Sequence, residues 1–329
     1  MRRLLPDTFT LLIAAAVIVA SVLPARGSFA DGFGVATNLA IALLFFLHGA
    51  RLEPSTVRAG FLHWRLQLVI LLTTFAVFPL IGLALGLVPE SLLPHSLYLG
   101  LLYLCLLPST VQSSIAFTSV AGGNVPASIC AASLSNLLGV FLTPLLVGIM
   151  FAVGGSGGGF SLDAIEKILL QLFVPFVAGQ LLQPWVGAWI RARKKLLMPV
   201  DRGSILMVVY LAFSHAVVEG IWHDFTLRDV ATVLIFDALI LALVLLLTTY
   251  GSRLMGFNRE DEISIVFCGS KKSLASGVPM ANAIFPAATV GAVVLPLMLF
   301  HQIQLMACAV LAQHYAARER QAAAAKPRG

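Results

Sequence analysis

Residues 267–280 read FCGSKKSLASGVPM, with two adjacent lysines inside a segment that is otherwise small, apolar or weakly polar. The surrounding window 262–285 is long enough to cross a bilayer, because about 20 residues of helix span a ~30 Å hydrocarbon core. An ammonium group in such a span is costly, and it normally faces a cavity or a partner. Glycine, serine and proline at this point also interrupt the helix. The stretch therefore predicts a broken transmembrane helix with Lys271 and Lys272 at its break.

The rest of the chain has the composition of an integral membrane protein. Of its 329 residues, 59% are hydrophobic and 11% are charged, which excludes a soluble domain with a polar surface. The apolar runs are long and continuous, whereas barrel strands would alternate over about ten residues, so the prediction is an all-α fold. Ten windows fit a transmembrane helix: 8–25, 34–51, 66–88, 95–120, 125–151, 165–190, 203–221, 230–252, 262–285 and 289–315.

The distribution of positive charge predicts the orientation. With the N-terminus in the cytoplasm, most of the 21 Lys and Arg residues lie in cytoplasmic segments, and only Arg26, Lys167 and Arg228 lie outside. We therefore expect a multi-pass protein of a bacterial-type inner membrane, with both termini cytoplasmic. This bias accounts for the net charge of +6 without a nucleic-acid partner.

A glycine-rich segment divides the predicted spans into two equal sets. Residues 154–159 read GGSGGG, which is typical of a flexible linker, and five spans lie on each side. An odd number of spans per half turns the second half upside down, as in inverted-repeat transporters. The prediction is a single transporter unit, 1–329, made of inverted repeats 1–152 and 160–317.

Each half contains one interrupted span at the equivalent position. The fourth span has Pro108 followed by STVQSS, and the ninth has GSKKS; each pattern is followed by an apolar run and then a Pro-Ala pair, at Pro126 and Pro286. Backbone opened inside a membrane must line a protein cavity or a water-filled path. Paired breaks of this kind indicate a transporter's binding site.

These two segments also resemble a known family. LPSTVQSSIAFTSVAGGNVPAS (107–128) and FCGSKKSLASGVPMANAIFP (267–286) are similar to the bile acid:sodium symporter family, solute carrier family 10, in its bile-acid-symporter-like branch. The resemblance implies a core domain from spans 3–5 and 8–10, in which spans four and nine cross at their breaks, and a panel domain from spans 1, 2, 6 and 7.

The resemblance carries over the sodium ligands of the family only in part. Ser113 and Ser114 stand where sodium-coupled members have a Ser-Asn pair, and Ser128 matches a further serine ligand. These three residues would form at most a weak Na⁺ site. Other ligand positions are changed, and they hold Thr74 and Lys271 in place of glutamine, Ala132 in place of threonine and Phe267 in place of the shared glutamate.

A lysine at a cation site brings a tethered positive charge and three N–H donors. We therefore expect Lys271 or Lys272 to replace one sodium ion, and Lys271, Lys272 or Asp237 to be able to carry a proton. Asp237 lies about 12 Å into its span and Lys271 about 13 Å into its own, so an ion pair between them is geometrically feasible. The other interpretation is that the lysines pair with helix carbonyls and Asp237 only to hold the broken helix.

The sequence thus predicts a secondary active transporter of a small organic anion, bile-acid-like or a carboxylate, working by alternating access. Its alternatives are a non-transporting regulator of ion homeostasis with the same fold, and a proton-coupled or uncoupled anion carrier. No HExxH, GxSxG or P-loop pattern supports an enzyme, and no cofactor is expected beyond Na⁺ or H⁺. Expected partners are the anion and the lipid bilayer. The candidate binding residues are Thr74, Gln112, Ser113, Ser114, Asn124, Ser128, Asp237, Ser270, Lys271, Lys272 and Ser273.

Overall fold

The computed structural model describes residues 8–51, 63–153, 169–218, 220 and 226–324. These residues form helices joined by short connections, with no strand among them, so the all-α prediction is confirmed. The glycine-rich segment 154–159 and the repeat boundary placed there lie outside the described residues.

The helices follow one another with little intervening chain. The first six are α1 (Thr8–Val22), α2 (Gly27–Arg51), α3 (Trp64–Leu85), α4 (His95–Cys105), α5 (Gln112–Ala121) and α6 (Val125–Val153). The others are α7 (169–192), α8 (Lys194–Val218), α9 (Leu227–Leu254), α10 (Arg259–Gly269), α11 (Leu274–Ile284) and α12 (Ala287–Ala324).

Six of the described helices are long and apolar enough to cross a membrane, namely α2, α3, α6, α8, α9 and α12. Large apolar side chains on their outer faces are exposed, for example Leu39 on α2 and Leu239 on α9, as expected for contact with lipid. The protein is therefore a multi-pass membrane protein.

The predicted fourth and ninth spans are each split into two half-helices. Helices α4 and α10 have 11 residues each, and α5 and α11 have 10 and 11, so each half is about 16 Å long and two halves cover one bilayer. The first break spans residues 106–111, and Gln112, Ser113 and Ser114, which were expected to belong to it, form the first turn of α5. The second spans only 270–273, because Gly277 and Pro279, which were expected to belong to the break, lie inside α11.

Two predicted windows began too late. Helix α2 begins at Gly27 instead of residue 34, and α8 begins at Lys194 instead of residue 203. Both missed segments contain charged residues, which lower the hydropathy of a window without preventing helix formation. Hydropathy therefore located the apolar part of each of these helices but not the residue at which it begins.

One packing group consists of α1, α2, α7 and α8. Helix α2 packs along α7 and α8, and α1 packs on α8. The contact between α2 and α7 depends on two glycines: a Cβ at Gly49 would collide with the carbonyl oxygen of Phe176, and one at Gly179 would collide with that of Phe46. Small residues allow such close backbone approach in membrane helices.

The other packing group surrounds the breaks. Helix α12 contacts α4, α5, α9 and α11, while α10 packs against α3, α5, α6 and α9. The two groups meet where α8 lies on α11 and α12, with Gly291 of α12 close to Ala212 and Ala216 of α8. The breaks are thus enclosed by α3–α6 and α9–α12.

Candidate functional site

The two breaks are in direct contact with each other. The backbone N–H of Ser273 donates to the carbonyl oxygen of Pro108 at 2.9 Å, and the Ser109 hydroxyl donates to the carbonyl oxygen of Cys268 at 2.5 Å. The two breaks therefore lie against each other, and each one satisfies polar backbone groups of the other. This matters because an unpaired backbone group at membrane depth costs several kcal/mol.

The first break obtains its remaining hydrogen bonds from α6. Thr143 donates to the carbonyl oxygen of Leu106 at 2.9 Å, Asn136 donates to that of Ser109 at 2.7 Å, and the Ser109 N–H donates to the Ser135 hydroxyl at 3.0 Å. Asn136 was not among the predicted site residues. Its position inside an apolar span, together with Ser133 and Ser135, is the signal that could have identified it.

Lys272 uses all three of its N–H donors on backbone carbonyls. Its Nζ lies 2.9 Å from the carbonyl oxygen of Thr74, 2.9 Å from that of Cys105 and 2.7 Å from that of Leu107, and 4.0 Å from the centre of the Phe78 ring. The side chain is fully buried, at 0% exposure. Three acceptors require three hydrogens, which only the charged ammonium has. Lys272 therefore occupies a carbonyl-lined cation site and joins α3, α4 and the second break.

Proline explains why the Thr74 carbonyl is available. Residues Thr73–Val77 form a π-helical turn in which the N–H of Phe78 bonds to the carbonyl oxygen of Thr73, five residues back. In that register the Thr74 carbonyl would pair with residue 79, but Pro79 has no N–H. The Thr74 hydroxyl is used separately, on the carbonyl oxygen of Ile70 at 2.8 Å. Thr74 thus contributes to the site through its backbone and not through its side chain.

Gln304 of α12 holds the backbone of Lys272. Its side-chain oxygen accepts from the Lys272 N–H at 2.9 Å, and its side-chain nitrogen donates to the Lys272 carbonyl at 2.9 Å. Gln304 is fully buried, and it was not among the predicted site residues. The polar run His301-Gln302-Ile303-Gln304 inside a predicted span was the signal in the sequence.

Lys271 points to another side of the break and has a very different environment. Its Nζ lies 3.9 Å from the centre of the Phe117 ring and 5.5 Å from that of Phe267, and it has no hydrogen-bond partner among the described residues. The side chain is also at 0% exposure. Aromatic ring faces attract a cation but do not replace the hydrogen bonds that water would provide.

Asp237 does not pair with either lysine. Within the part of the chain that the structure describes, both of its carboxylate oxygens lack a hydrogen-bond partner, and the side chain is fully buried in α9. The ion pair with Lys271 that depth made feasible is not formed. Depth along a span gives only the position along the membrane normal, and the side chains of Asp237 and Lys271 at similar depths do not meet.

The hydroxyl groups expected at a sodium site divide into two sets. Thr110 lies 2.7 Å from Ser113 and 3.0 Å from Ser114, both measured between hydroxyl oxygens, and Ser114 donates to the carbonyl oxygen of Phe267 at 2.9 Å. Ser128 donates instead to the Thr118 hydroxyl at 3.1 Å. Ser113 and Ser114 are therefore together, whereas Ser128 is engaged elsewhere. No group of three or more His, Cys, Asp or Glu side chains suited to a metal ion occurs among the residues described.

The remaining candidates have local contacts. Ser273 caps α11 by accepting from the N–H of Ser276 at 3.2 Å, and Ser270 donates back to Val266 at 2.6 Å. Asn124 donates to Asp261 at 2.8 Å, away from the lysines, and Gln112 is exposed at the start of α5.

These observations define the class of the protein. It is an all-helical, multi-pass membrane protein with two broken helices whose breaks are hydrogen-bonded to each other. The chain belongs to the SBF-like CPA transporter family, whose model matches residues 7–317. The resemblance to the bile acid:sodium symporter superfamily is thereby confirmed, and the chain is a transporter-family protein, not an enzyme.

Relatives extend over nearly the whole chain. An uncharacterized protein of Pseudomonas aeruginosa is 57% identical over 323 residues, which cover 98% of this chain and 97% of the relative. The Escherichia coli protein named "Putative symporter YfeH" is 51% identical over 309 residues, covering 94% and 92%. Sodium/bile acid cotransporter 7 of Rattus norvegicus is 26% identical over 279 residues, covering 83% and 81%.

Proposed function

We propose that this protein is a secondary active transporter that moves a small organic anion across the inner membrane by alternating access. The observation that carries the proposal is the crossing of two broken helices around Lys272, whose ammonium group fills a site made of three backbone carbonyls. Broken helices at such a crossing are the usual place for substrates and coupling ions in secondary transporters. Both termini are placed in the cytoplasm in this proposal.

The lengths of the helices support two inverted five-helix repeats. In each half an 11-residue half-helix leads into a break, then a half-helix of 10 or 11 residues, and then a long helix, α6 of 29 residues or α12 of 38. With ten spans, the repeats 1–152 and 160–317 run in opposite directions through the membrane.

The packing supports a division into two moving bodies. Helices α1, α2, α7 and α8 pack with one another and correspond to the panel, and α3–α6 with α9–α12 correspond to the core. We infer that the core shifts against the panel along the α8 contact with α11 and α12. Hydrogen bonds between the breaks would keep the core rigid during this movement.

The contacts of Lys272 support the idea that a tethered ammonium stands in for one sodium ion. The remaining hydroxyl cluster at Ser113 and Ser114 offers only neutral oxygens, and Ser128 is turned to Thr118, so a sodium ion would be held weakly there. Coupling to sodium is therefore doubtful in this proposal. A proton carried on Lys271 or Asp237 is the other coupling route, since neither side chain has a hydrogen-bond partner.

The test is uptake into proteoliposomes with sodium and pH gradients imposed separately. Taurocholate and a set of small radiolabelled carboxylates serve as substrates, and empty liposomes serve as the control. We expect saturable uptake of at least one anion, driven by one of the two gradients. Asp237→Asn and Lys271→Gln then show which side chain the driving gradient requires. Uptake that responds to neither gradient contradicts coupled transport, and uptake that never saturates indicates a channel.

A further inference from the structure

We propose that Lys271 is the cation that the transported anion contacts, that Phe117 covers it in the present conformation, and that Lys272 remains a structural residue throughout the cycle. This inference rests on the proposed transport function and specifies its binding site. The ligand class is a small organic anion whose charged group meets the Lys271 ammonium and whose apolar part meets the neighbouring aromatic rings.

Lys272 is unsuited to bind a substrate because its donors are fully used. Moving its ammonium toward an anion would break three hydrogen bonds and leave the carbonyl oxygens of Thr74, Cys105 and Leu107 without partners. Its backbone is fixed as well, by the two hydrogen bonds from Gln304. Nothing in this arrangement leaves a donor available for a ligand.

Lys271 has the opposite properties. It is a fully buried cation whose Nζ has no hydrogen-bond partner, and it loses no hydrogen bond when a ligand arrives. Its surroundings are the rings of Phe117 and Phe267, whose centres lie 5.9 Å apart. An anion would supply both the counter-charge and the hydrogen-bond acceptors that this ammonium lacks.

Of the two aromatic rings near Lys271, that of Phe117 reaches the surface, whereas that of Phe267 is fully buried. Phe117 is partly exposed on α5, although the Nζ of Lys271 beneath it, 3.9 Å from the ring centre, is inaccessible. Ser113 lies one helical turn before Phe117 and is also partly exposed, and Gln112 beside it is exposed. A rotation of the Phe117 side chain would therefore open Lys271 toward a face of α5 that carries polar groups at its beginning.

Chemical labelling tests the difference between the two lysines without knowledge of the natural substrate. The full-length protein in liposomes is treated with glyoxylate, a small anionic aldehyde, and separately with glycolaldehyde, a neutral aldehyde of similar size. Each aldehyde condenses with an amine and releases water, and cyanoborohydride reduces the resulting imine. Tandem mass spectrometry then assigns the adducts to Lys271 or Lys272, with Lys194 and Lys195 at the start of α8 as reference lysines.

We expect Lys271 to be labelled at least tenfold faster than Lys272 by glyoxylate. The ratio of glyoxylate to glycolaldehyde labelling should be several-fold higher at Lys271 than at Lys194 and Lys195, because an anion-binding site concentrates the charged reagent. Phe117→Leu should increase the labelling of Lys271 several-fold. The matched change Phe78→Leu, beside Lys272, should leave the labelling of Lys271 unchanged.

The inference is overturned if Lys272 reacts as fast as Lys271, or if neither lysine reacts while Lys194 and Lys195 do. It is also overturned if Lys271 shows no preference for the anionic aldehyde. Labelling requires no transport, so an accessible Lys271 in a protein that moves no anion would contradict the proposed function alone. Conversely, gradient-driven uptake with an unreactive Lys271 would contradict only this inference.

Discussion

Lys272 and Thr74 lie 198 positions apart in the sequence, yet the ammonium nitrogen of Lys272 is 2.9 Å from the carbonyl oxygen of Thr74. This contact joins the break in the ninth predicted span to the π-helical turn of α3. With the carbonyls of Cys105 and Leu107 it makes a cation site that the protein fills from its own chain. The predictions below follow from this site and from the packing around it.

Replacing Lys272 by Met should destabilise the protein strongly. The change leaves three buried carbonyl oxygens without donors, and we expect the free energy of unfolding to fall by about 3 kcal/mol or more. Lys271→Met is the matched control, and it should cost much less, because Lys271 makes no hydrogen bond. Unfolding by SDS or heat in detergent measures both variants. Equal losses for the two would contradict the distinction between them.

Shortening Lys272 to Ala should turn the carbonyl site into a site for an external cation. The three carbonyl oxygens that accept from the ammonium are ligands of the type that sodium prefers, and a bound ion stabilises the folded state by mass action. We expect NaCl to raise the melting temperature of Lys272→Ala by several degrees relative to N-methyl-D-glucamine chloride. The unmodified protein, whose ammonium already fills this carbonyl site, should show no such difference there. A variant indifferent to sodium would indicate that the site collapses when the ammonium is removed.

Pro79→Ala should destabilise the protein, although proline inside a helix is usually unfavourable. The new N–H at residue 79 would compete with Lys272 for the Thr74 carbonyl, and the loss should be about 1 kcal/mol. Pro175→Ala is the control, because Pro175 follows the other π-helical turn, Leu169–Phe173. Neither Lys271 nor Lys272 donates to that turn, so Pro175→Ala should be neutral or stabilising. Thermal unfolding in detergent gives the sign of each change.

Gly49→Ala should separate α2 from α7. The added methyl group would collide with the backbone at Phe176, which cannot move away as a flexible side chain could, and we expect a cost of about 1–3 kcal/mol. Gly34→Ala in the same helix is the control, since the nearest atom to its new methyl group is the Leu211 side chain at 3.8 Å. Melting temperatures of the two variants provide the comparison. A larger effect at Gly34 would be inconsistent with the close packing described for α2 and α7.

Sequence reasoning located the site better than it assigned roles within it. The polar stretches at Pro108–Ser114 and 270–273 marked both breaks, because serine, glycine and lysine are conspicuous among apolar residues. Thr74 was selected for its side chain, whereas its backbone carbonyl oxygen makes the contact with Lys272. That oxygen is available because Pro79 has no N–H to donate to it. Gln304 and Asn136 were not selected, because a polar side chain in a span reveals its partner only when neighbouring helices are placed.

By itself the sequence determined that the chain is an all-helical membrane protein with paired breaks and two lysines at one of them. Hydropathy and helix-breaking residues are local properties, and they can be read along the chain. Only the tertiary structure decided that Lys272 is satisfied by three carbonyls while Lys271, its neighbour, lies against aromatic rings. Adjacent residues of one break point to different helices, and the groups that surround each lysine are contributed largely by segments far away in sequence.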